Sequence, residues 1–534
     1  MAEPAKILVN QVGYDLEKEK RFVVQAGEGR MPTRFSVVNR QGKCVYRGVL
    51  RKAGNIAGWG ACYWAGDFSP MRVEGTLRIL VRRRRDPVFS YPFRVGRALV
   101  FEETGELAQR FFYYQRCGTE VEGWHAPCHL DDGAMPDGSH LDVSGGWHDA
   151  GDYNKYNGCT PLSVFALSYA YEKCRSYYDG FKTSAGTPTI VDEALWGARW
   201  LLKMQPEPGR LLDRVFSGYS YWGPPEKETD NVPGNRDDRP ILGETGPWAC
   251  ALASAAFARL SPWGEGRFYL DVANALWEKA RTGKGHLESD AALLLADQAL
   301  YAKTGRQVYM DDSSMRIASI LARQTEEGWF ALPDGSPHYS ITQLGFPAAC
   351  LAEFKLSVQP DTNPEVAEAV TRYLDFSIKI ARNPFQISTT YSKDGSISFF
   401  YRYPEPAAWY VGQNSQYLSQ AWAALLGFAL TRHRRFRKYA LAQLNWVLGT
   451  NPFGICMFEG KGSVNPAVYH HRYNAIPRRE RGAVPGCVPN GIVRMSVDKD
   501  APRFDLRSSG RPDYQSNEPW LPHNSFYLLA ASSL

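Results

Sequence analysis

Residues Gly145–Tyr156 read GGWHDAGDYNKY and place two acidic side chains, Asp149 and Asp152, three positions apart among glycines and aromatic rings. The glycines allow backbone turns that a side chain would block. Two carboxylates on such a turn can converge on one point and hold one water molecule. In that arrangement Asp152 accepts a proton from the water while Asp149 orients it, which is general-base chemistry for a hydrolysis. The alternative is a tight turn capped by aspartate, without a chemical role.

Hydrolysis of a glycosidic bond also needs a carboxyl group that stays protonated on the other side of the bond. The candidate is Glu518 in the segment DYQSNEPWLPHNSF, where Tyr514 and Trp520 flank it with aromatic rings. If Glu518 instead lies near the surface, the two aspartates have no partner acid, and the segment is only a tight turn capped by aspartate.

Upstream of this turn, residues 1–97 consist of short alternating segments such as KRFVVQAG, TRFSVVN and TLRILV, separated by turn residues. This spacing predicts a small β-sandwich. The run RRRR at Arg82–Arg85 follows one of these segments. It is interpreted as a solvated strand end rather than as a nucleic-acid or targeting patch.

Downstream of the turn the periodicity changes, and ten segments between residues 162 and 449 carry apolar residues at spacings of three and four. No strand pattern alternates with them, so residues 98–534 are predicted to be all-helical. Because no fixed sequence period links the helices, a closed ring is favoured over a solenoid. Irregular stretches at 206–242, 384–408 and 450–523 are long enough to indicate functional loops.

Composition excludes several classes of protein. A chain of 534 residues with 44% hydrophobic residues can bury a large core in two or more domains. A net charge of +6 among 62 basic and 56 acidic residues leaves no nucleic-acid footprint. No run of eighteen apolar residues and no signal-peptide pattern is visible, so we expect no membrane partner and a cytoplasmic protein, or a secreted one if a leader was removed. The ten cysteines are too scattered for a disulfide framework, and the oligomeric state is not predicted.

The segment GGWHDAGDYNKY, together with YHHRY at 469–473 and DYQSNE at 513–518, resembles the catalytic motifs of glycoside hydrolase family 9, in which many members are cellulases. The NQVGY of Asn10–Tyr14 is similar to the start of the immunoglobulin-like domain that often precedes the catalytic domain in this family. The resemblance spans nearly the whole chain. It implies an immunoglobulin-like β-sandwich followed by an (α/α)6 barrel, and hydrolysis with inversion at the anomeric carbon.

By this resemblance Asp152 matches the catalytic base, Asp149 the water-positioning partner and Glu518 the general acid. Inversion requires room for a water molecule, so the acid and base carboxyl groups are expected to lie roughly 6.5–9.5 Å apart.

Sugar contacts are predicted for the following residues: Trp222, His470, Arg472, Tyr514 and Trp520. His470 and Arg472 resemble the first His and the Arg of the family's His-His-Arg segment, and both side chains can donate hydrogen bonds to hydroxyls. Trp222 lies in YSYWGPPE, which is similar to the family's H-x-x-W-x-x-P-E with Tyr219 at the histidine position, and is the stacking candidate. The alternatives are a basic surface loop for His470 and Arg472, and ordinary core packing for Trp222.

A structural zinc site is predicted from Cys117, Cys128, His129 and His148. Two thiolates and two imidazoles suit tetrahedral Zn²⁺, although the spacing alone favours ordinary buried thiols. The resemblance favours zinc, because related members with this N-terminal domain carry the ion at matching residues.

Calcium is a further candidate cofactor, since it is common in helix-joining loops of the family. Asp230, Asp237, Asp238 and Glu244 lie in a suitable loop, but no calcium ligands are assigned from the sequence.

Departures from the family pattern concern the substrate. Trp520 stands where a small side chain is usual, and Ser509 stands where an acidic residue is usual, nine positions before Glu518. Trp520 and His523 would close off part of the cleft. Together with CVPNGI at 487–492, this tail is similar to exo-acting β-glucosidases and β-glucosaminidases.

The first prediction is therefore an inverting glycosidase that cleaves β-1,4-glucosidic bonds in cellulose-type β-glucans or cello-oligosaccharides, as an endoglucanase or an exo-glucosidase. The second is an exo-β-D-glucosaminidase acting on chitosan oligosaccharides, in which Glu459 or Asp513 would bind the amine. A carbohydrate-binding scaffold is the non-enzymatic alternative. A terpene-cyclase-like toroid would need a DxDD motif, which the chain lacks.

Overall fold

The computed structural model of the protein describes residues 5–27, 31–82, 87–358, 364–401, 411–496 and 498–534. Its N-terminal part is built of strands, which in chain order are β1 (Lys6–Leu8), β2 (Gly13–Asp15), β3 (Arg21–Ala26), β4 (Arg34–Asn39), β5 (Cys44–Asn55), β6 (Cys62–Asp67), β7 (Gly75–Arg82), β8 (Pro87–Phe89) and β9 (Phe93–Gly96). Hydrogen bonds connect them in the order β1-β3-β6-β5-β4-β7-β9-β2, and β8 pairs with β7.

The strands form two layers that share the long strand β5. Its first half pairs with β4 and its second half with β6, so the strand passes from one layer to the other. Phe22 of β3 and Phe35 of β4 meet between the layers, with ring centroids 4.8 Å apart in an edge-on arrangement. The predicted sandwich is confirmed. Arg82 ends β7 with an exposed side chain, whereas the rest of the predicted RRRR strand end lies outside the described residues.

The C-terminal part is helical, with the helices α1 (Leu99–Tyr114), α2 (Thr160–Lys173), α3 (Arg175–Tyr178), α4 (Thr189–Lys203), α5 (Pro247–Leu260), α6 (Arg267–Arg281), α7 (Leu287–Thr304), α8 (Val308–Leu321), α9 (Phe346–Ser357), α10 (Pro364–Ile380), α11 (Asn414–Thr431), α12 (Arg434–Val447), α13 (Tyr514–Asn517) and α14 (Leu521–Ala531). Short strands lie in the connections: β10 (Lys155–Tyr156), β11 (Leu212–Val215), β12 (Ile241–Glu244), β13 (Thr390–Tyr391), β14 (Ile397–Ser398), β15 (Val493–Ser496) and β16 (Lys499–Arg503).

Twelve of these helices form two concentric rings. Helices α2, α5, α7, α9, α11 and α14 each contact the next, and α14 returns to α2, which closes the inner ring. Helices α1, α4, α6, α8, α10 and α12 pack outside, each mainly against one inner helix. This arrangement is the predicted (α/α)6 barrel. No described helix has the combination of length and apolar composition that crossing a bilayer requires.

The burial pattern explains which helices are inside. The inner helix α5 reads PWACALASAAFARL, and its residues from Ala249 to Leu260 are buried on every side. The outer helix α6 buries Tyr269, Ala273 and Trp277 along one stripe, whereas its polar residues face outward. Small side chains let inner helices approach closely, and an amphipathic stripe is sufficient for an outer helix.

The sequence pattern predicted ten of the twelve barrel helices and missed α1 and α14. The N-terminal part of helix α14 contains Pro522, Asn524 and Ser525, which are residues typical of turns. Proline is nonetheless favourable in a first helical turn, where its missing N–H is not needed. Helix α1 contains Gly105 and several aromatic residues, which weaken its helical signal.

The long connections all lie at one end of the barrel. Chain segments that lead from an outer to an inner helix include 115–159, 204–246, 322–345, 381–413 and 448–520, whereas the opposite end has turns as short as 432–433. Successive helices of such a ring run in alternating directions, so these long connections come together. They contain the irregular stretches identified in the sequence except 521–523, which belong to α14, and 402–410 lies outside the described residues.

The NQVGY segment joins the two parts of the chain. The backbone N–H of Gln11 donates to the carbonyl of Leu448 at 2.8 Å. Its side-chain Nε2 donates to Gly454 O at 2.6 Å, and its Oε1 accepts from the N–H groups of Ser463 and Val464 at 2.9 and 3.0 Å. One glutamine therefore fixes the start of the sandwich to the loop that follows α12.

The β1-β3-β6 layer is covered on both faces. Phe22 and Val24 of β3 belong to the core of the sandwich, whereas Val23 and Tyr63 belong to the hydrophobic cluster of the helical part. The change from strands to helices falls between Gly96 and Leu99. The division of the chain into domains of residues 1–97 and 98–534 stays a prediction.

Candidate active site

The turn at Gly145–Tyr156 depends on glycine at two positions. Gly146 has a φ of 73°, and a Cβ there would lie 2.6 Å from the Trp200 ring. A Cβ on Gly151 would lie only 1.9 Å from the carbonyl oxygen of His470 and 3.1 Å from Oε1 of Glu518. The turn therefore packs directly against the backbone of residues 470–472, here called the HHR loop, and lies beside Glu518, the predicted acid.

Backbone hydrogen bonds close the turn around the two aspartates. The N–H of Asp149 donates to Asn154 O at 2.9 Å, and the N–H of Asn154 donates to Asp152 Oδ1 at 3.0 Å. The N–H of Arg472 donates to Gly151 O at 3.0 Å. These bonds fix the Asp149 and Asp152 side chains on one rigid loop.

Gln115, which the sequence analysis did not identify, holds the same turn from behind. Its Nε2 donates to the carbonyls of His148 and Ala150 at 3.1 and 2.8 Å, and its Oε1 lies 2.9 Å from His471 Nε2. A buried glutamine with three partners has no sequence signature, because its role depends on segments far apart in the chain.

Asp149, Asp152 and Glu518 line one cavity of about 630 Å³ at the loop-rich end of the barrel. They are the acidic members of the described residues that line it. Asp149 and Asp152 enter from the connection between α1 and α2, and Glu518 enters from the segment immediately before α14. The structure thus brings together the three carboxyl groups that the sequence selected.

Burial dominates the protonation of this trio. Burial, together with the neighbouring charge of Asp152, raises the pKa of Asp149 to about 8. Burial raises the pKa of Glu518 well above its ordinary value, as do the charges of the two aspartates, against the opposing effect of Arg472. The pKa of Asp152 is also raised by burial, but Arg472 and the hydrogen bond from Asn154 act against the rise. A buried glutamic acid that keeps its proton beside a cation-stabilised aspartate can serve as acid and base respectively.

Four of the five predicted sugar-contacting residues line the cavity: His470, Arg472, Tyr514 and Trp520. The cavity wall also includes residues that the sequence did not select, among them Tyr156, Cys159, Asn490 and Arg511. Tyr219, noted at the histidine position of the family motif, lines the cavity and is 61% exposed.

Trp222 is absent from the described residues that line the cavity. Its indole donates to Asn474 Oδ1 at 2.8 Å, and its ring lies between His470, at a centroid distance of 5.1 Å, and the guanidinium of Arg511, at 3.8 Å. The ring therefore packs behind cavity residues, and its role as a sugar platform stays a prediction.

His470 faces the cavity as an acceptor rather than as the donor expected from the sequence. Its Nδ1 lies 2.7 Å from the carbonyl of Pro512, so Nδ1 carries the proton. Burial lowers the pKa of this imidazole to about 4, which leaves it neutral at pH 7. The remaining nitrogen, Nε2, then has only a lone pair to offer a sugar hydroxyl.

Three further residues named for substrate selection lie outside the described cavity wall. Glu459 pairs with Arg481 at 3.1 Å and accepts from Tyr469 at 2.7 Å. Asp513 caps α13 and pairs with Arg503. His523 is buried, 2.7 Å from Asn490 Oδ1. Each of these side chains has an internal partner, so the structure gives no support to an amine contact by Glu459 or Asp513 or to closure of the cleft by His523, and these stay predictions.

Behind the catalytic turn, Cys117, Cys128, His129 and His148 form a buried group that could hold a metal ion, with their candidate ligand atoms all within 4.8 Å of one another. The Sγ of Cys117 lies 3.5 Å from His129 Nδ1, and the Sγ of Cys128 lies 3.7 Å from His148 Nε2. Ligands on a tetrahedron around zinc would be roughly 3.3–3.8 Å apart. The predicted residues therefore fit a closed four-ligand site.

The surroundings of this group also fit a metal. His129 Nε2 lies 3.0 Å from Glu228 Oε2, the carboxylate–histidine contact that usually orients a metal ligand. His129 has a φ of 54°, a left-handed backbone that costs a residue with a Cβ about 1 kcal/mol. Such strain persists where the surrounding structure requires that orientation.

The acidic loop proposed for calcium is only partly assembled. Asp237 and Asp238 lie within 4.8 Å of Asp131, a residue that the sequence did not select. The Asp230 carboxylate instead accepts hydrogen bonds from Asn235, and Glu244 pairs with Arg210 at 2.6 Å.

A barrel of two helical rings, with a sheltered trio of carboxyl groups at its loop-rich end, is the architecture of a glycosidase. Comparison with known families agrees: the model of glycosyl hydrolase family 9 matches residues 101–531, and that of the cellulase N-terminal ig-like domain matches residues 2–85. The chain belongs to glycosyl hydrolase family 9.

The sequence identity between this chain and individual relatives is modest. The chain is 30% identical over 227 residues to a cellodextrinase of Butyrivibrio fibrisolvens, a match that covers 39% of this chain and 40% of that protein. It is 24% identical over 589 residues to a xyloglucan-specific endo-beta-1,4-glucanase of Bacteroides ovatus, covering 99% of this chain and 93% of that protein. The crystal structure of a metagenome-derived glycoside hydrolase family 9 endoglucanase shares the fold, with a TM-score of 0.77, 23% identity and coverage of 99% and 98% of the two chains.

Proposed function

We propose that this protein hydrolyses β-1,4-glucosidic bonds of cello-oligosaccharides or related β-glucans with inversion. In this proposal Asp152 removes a proton from the attacking water, Asp149 orients that water, and Glu518 protonates the departing oxygen. The observation that carries the proposal is the single cavity lined by these three carboxyl groups, with the acid and the aspartate pair delivered by separate segments.

The electrostatics of the cavity support this division of labour. The raised pKa of Glu518, caused by burial and the nearby aspartates, keeps it protonated and ready to donate. Arg472 opposes the rise in the pKa of Asp152 and so favours its ionised form. His470 Nε2 can accept a hydrogen bond from a sugar hydroxyl, whereas Tyr514 and Trp520 offer rings at the cavity wall.

The test is hydrolysis of cellopentaose and of a soluble β-glucan polymer, with the anomer of the first product identified by NMR. The proposal requires inversion, and retention of the original configuration would refute it. Asp152→Ala and Glu518→Gln should each lower kcat by about 10²- to 10⁴-fold while circular dichroism stays unchanged. Asp297→Asn is the matched control, since Asp297 is a buried aspartate with a raised pKa on α7, outside the described cavity wall; it should keep near-normal kcat. Glucose and cellotetraose as the only early products from cellopentaose would indicate exo action.

The exo-β-D-glucosaminidase alternative has little support in the cavity. A protonated amine would need an acidic neighbour, and the acids lining the described cavity are those assigned to catalysis. Arg472 and Arg511 line the same cavity and would repel the amine. Chitosan oligomers therefore serve as a substrate control that we expect to be cleaved poorly. A binding scaffold without activity would have no use for a separated acid and base, and inactivity of the wild type on every β-glucan would favour it.

We further propose that Cys117, Cys128, His129 and His148 hold a structural zinc ion. With four protein ligands the ion would have no open position for substrate, so it would stabilise the fold rather than take part in the chemistry. His148 immediately precedes Asp149, and the ion would thereby brace the turn that carries the aspartates.

Calcium is the proposed ion for the acidic cluster of Asp131, Asp237 and Asp238. Oδ2 of Asp131 is enclosed and has no hydrogen-bond partner in the described part of the chain, although Thr229 donates to its Oδ1 at 2.8 Å. Carboxylate oxygens are the ligands that Ca²⁺ prefers.

A further inference from the structure

Trp520 makes a contact that its role as a cavity wall does not require. Its indole Nε1 donates a hydrogen bond to Oδ2 of Asp149 at 2.7 Å. The other oxygen, Oδ1, is enclosed and has no partner within the described parts of the chain. Asp149 is among the residues that line the cavity, so the indole holds a carboxylate at the cavity wall.

The backbone makes this contact rigid. The N–H of Leu521 donates to the carbonyl of Asp149 at 3.0 Å, and Trp520 is the residue that precedes the inner helix α14. The indole is thus held from both sides, by the helix that it begins and by the turn that it contacts. A carboxylate oxygen has two acceptor positions, so Oδ2 can accept from the indole and still bind a water molecule.

The same segment carries the acid. Glu518 and Trp520 both have extended backbones, with φ/ψ of −84°/123° and −150°/138°. Side chains two positions apart in an extended segment point to the same side, and both of these line the cavity. The segment 518–520 therefore carries the acid, Glu518, and also contacts the Asp149 carboxylate.

We propose that Trp520 is a positioning residue, whose indole N–H fixes the rotation of the Asp149 carboxylate that orients the attacking water. The proposal rests on the proposed function, because the water and its hydrolytic role belong to that function. It assigns to Trp520 a role in the rate of the reaction, beyond the predicted contact with sugar.

The surroundings of Asp149 support this role. The groups that face the carboxylate are Asp152, the Cys159 thiol and the Trp520 indole. A thiol is a weak hydrogen-bond donor, so the indole is the group among these three best able to hold the carboxylate in one rotation.

The test compares Trp520→Phe with the wild type on cellotetraose. Phenylalanine keeps a ring in the wall but lacks the N–H, so kcat should fall about tenfold, as expected for one lost hydrogen bond. KM should change by less than about threefold, and this split between kcat and KM separates a positioning role from a sugar contact.

Trp277→Phe provides a matched control. Trp277 also donates its indole N–H to a buried aspartate, Asp297 Oδ1, at 2.6 Å, between the outer helix α6 and the inner helix α7. Its loss should lower the melting temperature without changing kcat or KM. A Trp520→Phe enzyme with kcat within about twofold of the wild type would refute the proposal. A change in KM alone would also refute it, since that result defines a sugar platform.

A measurement on the wild type covers the case in which Trp520→Phe does not fold. In protein labelled with ¹⁵N-tryptophan and held at one pH, one indole N–H resonance should shift in Asp149→Ala, because the carboxylate that accepts from this N–H is removed. If no indole resonance shifts, Trp520 does not hold Asp149 in solution. Failure of the proposed function is distinguishable, because the wild type itself would then not cleave β-glucans.

Discussion

Gly151→Ala is the most direct test of how the catalytic turn is built. The added Cβ would lie 1.9 Å from the carbonyl oxygen of His470, whereas Cβ atoms essentially never approach another atom within 3.0 Å. The turn and the HHR loop must therefore separate by at least about 1.1 Å, the difference between these two distances. Both partners are backbone, so no side-chain rotation can relieve the contact.

The magnitude follows from what that separation displaces. Gly151 O accepts from the N–H of Arg472 at 3.0 Å, and the methyl group would also come within 3.1 Å of Glu518 Oε1. A displacement of about 1 Å between reacting groups can lower a rate about 10²-fold. Overpacking of this kind costs about 1–3 kcal/mol of stability. We therefore expect a folded protein with kcat lowered about 10²-fold or more and a modestly lower melting temperature.

The assay is steady-state hydrolysis of cellotetraose beside thermal denaturation followed by circular dichroism. Gly246→Ala is the matched control, because a Cβ at Gly246 meets nothing within 4 Å; it should keep normal kcat. If Gly151→Ala retained more than about half of the wild-type kcat, the close approach of the turn to His470 would not exist in solution, and the geometry derived for the site would be wrong.

Two further predictions concern protonation and metal. Asp149→Asn should abolish most activity yet raise the free energy of unfolding at pH 7, by up to about 4 kcal/mol, because the native pKa of about 8 makes ionisation costly to the folded state. That cost sets in as pH rises above the ordinary carboxyl pKa, so the gain should vanish near pH 4 in denaturant titrations; an equal gain at both pH values would contradict the assigned shift. Cys128→Ser should lose the zinc and lower both melting temperature and kcat, whereas Cys350→Ala, at a buried thiol of α9, should keep the metal content of the wild type. Metal analysis of protein purified without a His-tag checks this, and wild type with less than about a tenth of an equivalent of zinc would contradict the zinc proposal.

Sequence patterns predicted the barrel because most helices show their burial directly. The apolar run of α5 and the stripe of α6 follow from helical periodicity alone. Helix α14 escaped detection because Pro522, Asn524 and Ser525 suggest a turn, and only packing between α11 and α2 makes that segment an inner helix. Local propensity was overridden there by tertiary contacts.

The site was predictable to the extent that its chemistry lies in short motifs. Asp149, Asp152 and Glu518 stand in segments whose residue types indicate acid–base chemistry, and the structure places them in one cavity. Gln115 and Arg511 could not be selected, because their positions depend on contacts between distant segments. The position of Trp222 was equally beyond the sequence: its ring packs behind the cavity wall, against Arg511, and its role as a sugar platform stays a prediction.

The contacts made by Gln11 and the doubly covered β-layer affect how this protein can be engineered. A catalytic fragment that begins near Leu99 would expose the apolar surface of the barrel against which Val23 packs. It would also leave the N–H groups of Ser463 and Val464 without their acceptor. Truncation would thus expose apolar surface and promote aggregation beside the loop after α12, which also supplies His470 and Arg472. The sandwich therefore covers and supports this side of the barrel, and a barrel transferred to another scaffold would need another domain to cover it.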